Sequence, residues 1–243
     1  MQHWAITDAG CVRSQNQDVF ATAELDKDVL LCLVCDGMGG AKAGNVASAL
    51  ASEVFVQEMR NTWKAGMEQA QIHQMFLSAV KLANFAVYDQ AKQFEDFSGM
   101  GTTLVAALIC GREVTIANVG DSRAYIINND GIRRITQDHS LVELMVQRGE
   151  LSAEEARTYP GKNYITRAIG TEAIVECDLF HVDAEHGDWL MLCSDGLTNI
   201  LDDQEILFEV VHGEQKELCC ERLLDIVKSR GAPDNVTCVL AQM

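Results

Sequence analysis

The chain has 243 residues, 48% of them hydrophobic, and 19 Lys plus Arg against 36 Asp plus Glu leave a net charge of −17. Such a length buries a sizeable core and suits one or two domains of the usual ~100–200 residues. A field this negative repels phosphate backbones and anionic headgroups, so nucleic acid and membrane are set aside as partners. The longest apolar runs, 29–35 and 103–110, fall short of the roughly 20 residues of a membrane helix. The start, Met1-Gln2-His3-Trp4-Ala5-Ile6, has neither the basic nor the apolar region of a secretion signal, which predicts a cytoplasmic protein. Nine cysteines, an odd number without a disulfide framework, suit reduced thiols. Cys32 and Cys35 stand three apart in one strand-like run and so point to opposite faces, which disfavours both zinc chelation and a redox pair.

Residues 18–24 and 28–36 read as two strands joined by a polar turn around Asp26-Lys27, the second ending at Asp36-Gly37. The four-residue spacing of Val46, Leu50 and Val54 predicts an amphipathic helix over 41–60, and Ile72, Phe76, Val80, Ala83 and Val87 predict a second. The period then drops to two. Segments 102–110, 113–119 and 123–128 are divided by turns at Gly111-Arg112 and Gly120-Asp121, and Asn128-Asn129-Asp130-Gly131 predicts a hairpin into 132–135. A short helix is expected over 140–148, closed by Gly149, and Ser152-x-x-Glu155 is a capping-box pattern inside an otherwise irregular, polar stretch, 149–173. Strands over 174–182 and 188–193, helices over 203–211 and 215–229, and a strand over 236–240 complete the chain. This segregated order predicts an α+β fold of antiparallel sheets flanked by helices, in one domain over 1–243.

The aspartates stand at strand ends. Asp36 and Asp195 each close a buried run and precede a glycine, Asp121 follows the run 114–119, and Asp234 precedes the last strand. Gathered at one rim, such carboxylates are stable only beside cations, and oxygen-only ligation points to Mg²⁺ or Mn²⁺. Asp-Gly is also ordinary turn chemistry, the reading preferred for Asp130-Gly131. The parallel endings Val34-Cys35-Asp36-Gly37 and Cys193-Ser194-Asp195-Gly196 favour a shared site. The chain lacks a Walker A loop, a complete G-x-G-x-x-G, a Cys followed six residues on by Arg, an H-E-x-x-H zinc spacing and a G-x-S-x-G elbow. His139 follows an Asp at a predicted helix start, and most of the six histidines read as surface or capping residues.

The segments Thr7-Asp8-Ala9-Gly10-Cys11-Val12-Arg13-Ser14-Gln15-Asn16-Gln17-Asp18, Cys35-Asp36-Gly37-Met38-Gly39-Gly40, Gly101-Thr102-Thr103, Asn118-Val119-Gly120-Asp121-Ser122-Arg123, Asp138-His139-Ser140-Leu141, Thr166-Arg167-Ala168-Ile169-Gly170, Ser194-Asp195-Gly196-Leu197 and Asp234-Asn235-Val236-Thr237 together resemble the ordered motifs of the metal-dependent protein phosphatase 2C family in its compact bacterial form. The resemblance covers the whole chain and implies a four-layer α-β-β-α sandwich. It implies that Asp36 bridges two Mn²⁺ or Mg²⁺ ions, that the Gly37 carbonyl serves one, and that Asp195 and Asp234 hold the other. Asp121 with Asp195 would serve a third, weaker ion. Asp18 would hydrogen-bond metal-bound water, Arg13 would grip the phosphate through its planar fork, and a water bridging the two ions would lose a proton to give the hydroxide that attacks phosphorus.

Two departures from the family pattern stand out. Gln17 occupies a place where the family usually has Glu, which leaves a neutral amide near the second metal. Met38 stands where some members have a proton-donating His, so water protonates the leaving group. The implied function is hydrolysis of phosphoserine and phosphothreonine in protein substrates, opposing a Ser/Thr kinase, by a monomer. Segment 149–173 matches the family's flap and is expected to face substrate. Rival readings are a phosphoprotein-binding module with weak or no activity, motivated by Gln17, and a regulatory phosphatase dedicated to one signalling partner, such as an anti-sigma-factor antagonist.

Overall fold

The apolar runs become strands whose two faces meet different layers. The computed structural model describes residues 1–40 and 43–243, so the predicted helix start at Ala41 lies outside the described residues. In chain order the elements are β1 (Gln2–Asp8), β2 (Asp18–Asp26), β3 (Val29–Met38), α1 (Ala43–Thr62), α2 (Gln69–Gln93), β4 (Gly101–Thr102), β5 (Leu104–Cys110), β6 (Glu113–Val119) and β7 (Arg123–Asn128). There follow β8 (Gly131–Arg134), α3 (Leu141–Gln147), α4 (Ala153–Thr158), β9 (Asp178–Asp183), β10 (Trp189–Cys193), α5 (Asp195–Thr198), α6 (Asp203–His212), α7 (Cys219–Ser229) and β11 (Val236–Gln242). One sheet runs β1-β11-β10-β7-β8 and the other β2-β3-β5-β6-β9, with β4 paired to the end of β3.

Alternation along the strands sets the layers. In β3, Leu31, Leu33 and Cys35 face the buried side of α1 and α2, while Leu30, Cys32 and Val34 meet the other sheet. In β10, Leu190 and Leu192 point into the space between the sheets, and Trp189, Met191 and Cys193 face α6 and α7. The result is the expected sandwich: α1 and α2, sheet, sheet, then α5 to α7. Cys32 and Cys35 fall in different layers, and all nine cysteines are free thiols. Among the described residues no helix is long and apolar enough to cross a membrane.

Three local features depart from expectation. Residues Gln2–Asp8 form an edge strand that pairs with β11 along its whole length, from Gln2 opposite Gln242 to Asp8 opposite Val236. Only Trp4 and Ile6 alternate there, and Trp4 packs 5.5 Å from Trp189, too short a pattern to stand out in sequence. The strand expected from 174 begins only at Asp178, because Asn84 of α2 donates to the carbonyls of Glu172 and Ala173 and holds the preceding chain away from the sheet. Asp195 does not end in a loop but opens α5, with Ser194 as its N-cap residue.

Candidate active site

Strand pairing delivers the acids. Asp18 of β2 lies directly opposite Asp36 of β3, a juxtaposition of like charges that costs free energy unless something neutralises it. In the other sheet Cys193 pairs with Cys238, and the Ser194 N–H donates to the Thr237 carbonyl. That register sets Asp195 alongside Asp234 and Asn235. Asp18 and Asp36 thus come from one sheet, Asp195 and Asp234 from strand ends of the other, and Asp121 from the link between β6 of the first sheet and β7 of the second. Asp36 feels the charges of Asp18, Asp195, Asp121 and Asp234.

The electrostatics follow from that convergence. Burial and the surrounding carboxylates hold the Asp36 carboxyl well above the usual range. Burial pushes Asp18 up to about 6, against the opposing donation of the Ser194 hydroxyl to its Oδ2 at 2.7 Å. Burial and the charges of Asp195 and Asp138 push Asp121 up to about 8, and Asp195 is raised by burial and by Asp234. Acids raised together form a site short of positive charge. Asp18 Oδ1 and Asp121 Oδ1 are buried without a partner, where hard divalent cations would satisfy acceptor-only oxygens. Among the described residues no three of these side chains already form a cation cage. Asp234 is turned toward protein donors instead, its Oδ1 accepting from the Asn235 N–H at 2.9 Å and its Oδ2 from Arg13 at 2.8 Å.

Arg13 is exposed, on the connection between β1 and β2. Asn235 pins that connection, donating to the carbonyls of Ala9 at 3.0 Å and Gln15 at 2.9 Å and accepting from the Gln17 N–H at 2.8 Å. The Gln17 carbonyl in turn accepts from the Gly37 N–H and the Ser48 hydroxyl. Its side-chain amide reaches toward the Gly40 carbonyl at 3.4 Å, so it faces the start of α1. Gly37 and Gly196 are close-approach positions and not hairpin turns: a Cβ at Gly37 would strike the Gly44 carbonyl, and one at Gly196 the Asn235 carbonyl. Asp130-Gly131 closes the β7–β8 hairpin, as its turn chemistry predicted.

Several residues with work at the site carried no role in the sequence reading. Thr103 accepts from the Asp36 N–H and the Thr102 hydroxyl donates to the Asp36 carbonyl, both at 2.9 Å, which fixes the backbone on which Asp36 is carried. Ser194 orients Asp18, and Asn235 holds the Arg13 loop. A signal existed in each case: a small polar residue at the end of an apolar strand is buried and must find a partner. His139 is a correction. It is only 8% exposed, and Ser140, not His139, is the N-cap of α3. A cleft of about 680 Å³ opens beside Asp121 and Asp195 and is bordered by Lys162 and Asn163, so segment 149–173 lies next to the acids.

The sequence pattern of the protein phosphatase 2C family matches residues 12–228. The serine/threonine phosphatase stp of Listeria innocua is 39% identical over 241 residues, an alignment covering 97% of this chain and 93% of that protein. The crystal structure of the serine/threonine phosphatase Stp1 from Staphylococcus aureus superposes with a TM-score of 0.94 at 37% identity, covering 100% of this chain and 95% of the other. The catalytic domain of the serine/threonine protein phosphatase PstP in complex with two manganese ions gives a TM-score of 0.85 at 32% identity, with 99% and 97% covered. With the acids, the sandwich that gathers them and these likenesses all in agreement, the chain belongs to the protein phosphatase 2C family.

Proposed function

We propose that this protein removes phosphate from phosphoserine and phosphothreonine in protein substrates by direct attack of an activated water, using Mn²⁺ or Mg²⁺ and opposing a Ser/Thr kinase. The observation that carries the reading is the meeting of five aspartates at one place, with the carboxyls of Asp18, Asp36, Asp121 and Asp195 raised together and two buried oxygens unpartnered. Two bound divalent cations would supply what the acids lack, a nucleophile from water near neutral pH and charge to offset the phosphoryl oxygens. Asp36 would be shared between them, with the Gly37 carbonyl at one and Asp195 and Asp234 at the other. Asp121 with Asp195 would serve a third, weaker ion, and Gln17 offers a neutral amide where a carboxylate is usual.

The chain's own side chains do the rest. Asp18, aimed by Ser194, presents its free Oδ1 to accept a hydrogen bond from the attacking water. Arg13, exposed and paired with Asp234, has a planar fork suited to two phosphate oxygens. Met38 carries no proton to give, so the leaving oxygen takes its proton from solvent. Segment 149–173 borders the cleft beside the acids, where the polypeptide flanking the phosphorylated residue would lie.

The test is phosphate release from a phosphothreonine peptide over Mn²⁺ and Mg²⁺ titrations, with Asp36→Asn and Gln17→Glu alongside. Turnover should require added metal, vanish in Asp36→Asn, and reach half-activation at lower metal in Gln17→Glu. Turnover that persists in chelator, or none in the parent at any metal concentration, would sink the reading.

A further inference from the structure

His139 is buried against three separate parts of the chain, and its contacts form a clamp. The Gly120 N–H donates to its Nδ1 at 3.0 Å, while the His139 N–H donates back to the Gly120 carbonyl at 2.9 Å. One residue thereby holds both polar groups of the glycine immediately before Asp121. Gly120 is itself in a backbone conformation that favours glycine, at φ +111°, and a Cβ there would press on Thr103, the residue that accepts from the Asp36 N–H. Because Nδ1 accepts, the ring hydrogen belongs on Nε2, which lies 3.1 Å from Asp178 Oδ2. Arg167 lies 3.0 Å from the same nitrogen and donates to Asp178 Oδ1 at 2.8 Å. The Thr166 N–H donates to the His139 carbonyl at 2.8 Å. Thr166 and Arg167 lie in the C-terminal part of segment 149–173, and Asp178 opens β9. The neighbouring Asp138 grips Arg123, two residues beyond Asp121, through both carboxylate oxygens.

We propose that His139 is a positioning residue: it fixes the Gly120–Asp121 turn so that the Asp121 carboxylate faces the acid cluster, and it ties that turn to the end of the flap segment through Asp178 and Arg167. The inference rests on the proposed role of Asp121 toward a divalent cation. A ring that accepts at Nδ1 and donates at Nε2 does two jobs that no aliphatic or aromatic side chain of similar volume can do. Asn can do the first, since its Oδ1 is placed much as Nδ1 is. Removing a group that orients a ligand costs about 10–100-fold in metal affinity where such groups have been deleted.

The test compares the parent with His139→Leu, His139→Asn and Asp121→Asn, using Mn²⁺ calorimetry on chelator-treated protein, the half-activating Mn²⁺ concentration, and KM and kcat for p-nitrophenyl phosphate. Asp121→Asn should remove the weakest phase of the isotherm. His139→Leu should weaken that same phase by about 10-fold or more and raise the half-activating Mn²⁺ in step, with the tighter phases and KM unchanged. His139→Asn should recover most of the loss although it lacks the Asp178 contact. If His139→Leu does not fold, His139→Asn against His139→Ser decides the matter, since only Asn reaches Gly120. Equal isotherms for the Leu, Asn and parent proteins would overturn the clamp, as would equal losses in Leu and Asn. An isotherm unmoved by Asp121→Asn would overturn the cation role of Asp121, and the proposal with it, while leaving the metal-dependent turnover of the parent intact.

Discussion

Asp36 keeps a proton more readily in the folded chain than a free aspartate does, and so do Asp18, at about 6, and Asp121, at about 8. The sign of the consequence is fixed by linkage. A carboxyl raised on folding binds more protons in the native than in the unfolded state throughout the window between its ordinary value near 3.8 and its folded one, so native stability falls as pH rises through that window. Chelator-treated protein should therefore melt at a lower temperature at pH 8 than at pH 6. Asp36→Asn removes the charge that Asp18 and Asp195 both face, and should raise stability at pH 8 by on the order of 1–3 kcal/mol while abolishing turnover. Saturating Mn²⁺ should flatten the pH dependence of the parent, because the cations then do what protons do at low pH. Thermal unfolding in chelator and in Mn²⁺, at the two pH values, checks all three expectations. A parent that melts higher at pH 8 than at pH 6 in chelator would show that the acids are not frustrated.

The connection between β1 and β2 carries Arg13 yet has little structure of its own. The buried Asn235 side chain holds it at three points, satisfying Ala9, Gln15 and Gln17 at once, beside the Ser48 hydroxyl on the Gln17 carbonyl and the Cys11 N–H on the Ala232 carbonyl. Asn235→Ala would leave three backbone groups without partners, at about 1–3 kcal/mol for each one kept from water, and solvent entry would relieve part of that. The expected outcome is a loss of about 2–4 kcal/mol in urea unfolding and a raised KM for phosphopeptide, since Arg13 is no longer held near Asp234. A KM unchanged in a destabilised protein would mean that the loop finds its place without Asn235. The same contrast marks what could be read in advance. Strands such as β3 and β10 and the acids near their ends were legible because apolar runs, period-two alternation and Asp-Gly pairs are local properties of a few residues, although β3 runs on past Asp36-Gly37 to Met38, where it pairs with β4. The capping box at Ser152 was legible for the same reason. β1 was not, because two alternating apolar residues do not announce a strand until β11 lies beside them. Asn235 and His139 were not, because their partners lie 226 and 39 residues away, and a buried hydrogen-bonding role of that kind exists only once the sheets have met.

No sheet owns the acid cluster. Asp18 and Asp36 belong to the layer packed on α1 and α2, Asp195 and Asp234 to the layer packed on α6 and α7, and Asp121 to the link between β6 and β7 that joins the two sheets, so any separation of the two sheets dissolves the site. Ser194 donates from one sheet to Asp18 of the other, and the apolar face between them, with Leu30, Val34, Leu190, Leu192 and Val239, is buried. This arrangement predicts that the chain unfolds as one cooperative unit, the outcome that the single-domain reading of residues 1–243 requires. The three tryptophans are placed to report on both halves: Trp63 packs with the α1 and α2 layer, and Trp4 with Trp189 lies on the face toward α7. Far-ultraviolet dichroism and the fluorescence of variants retaining only Trp63 or only Trp4 and Trp189 should therefore trace a single thermal transition. Because the native fold alone brings the five acids together, Mn²⁺ should move every probe upward by the same amount, about 2.7 kcal/mol at 100 times its dissociation constant. Two separated transitions, with Mn²⁺ moving only one of them, would divide the chain into independently folding layers and place the cation on one sheet alone.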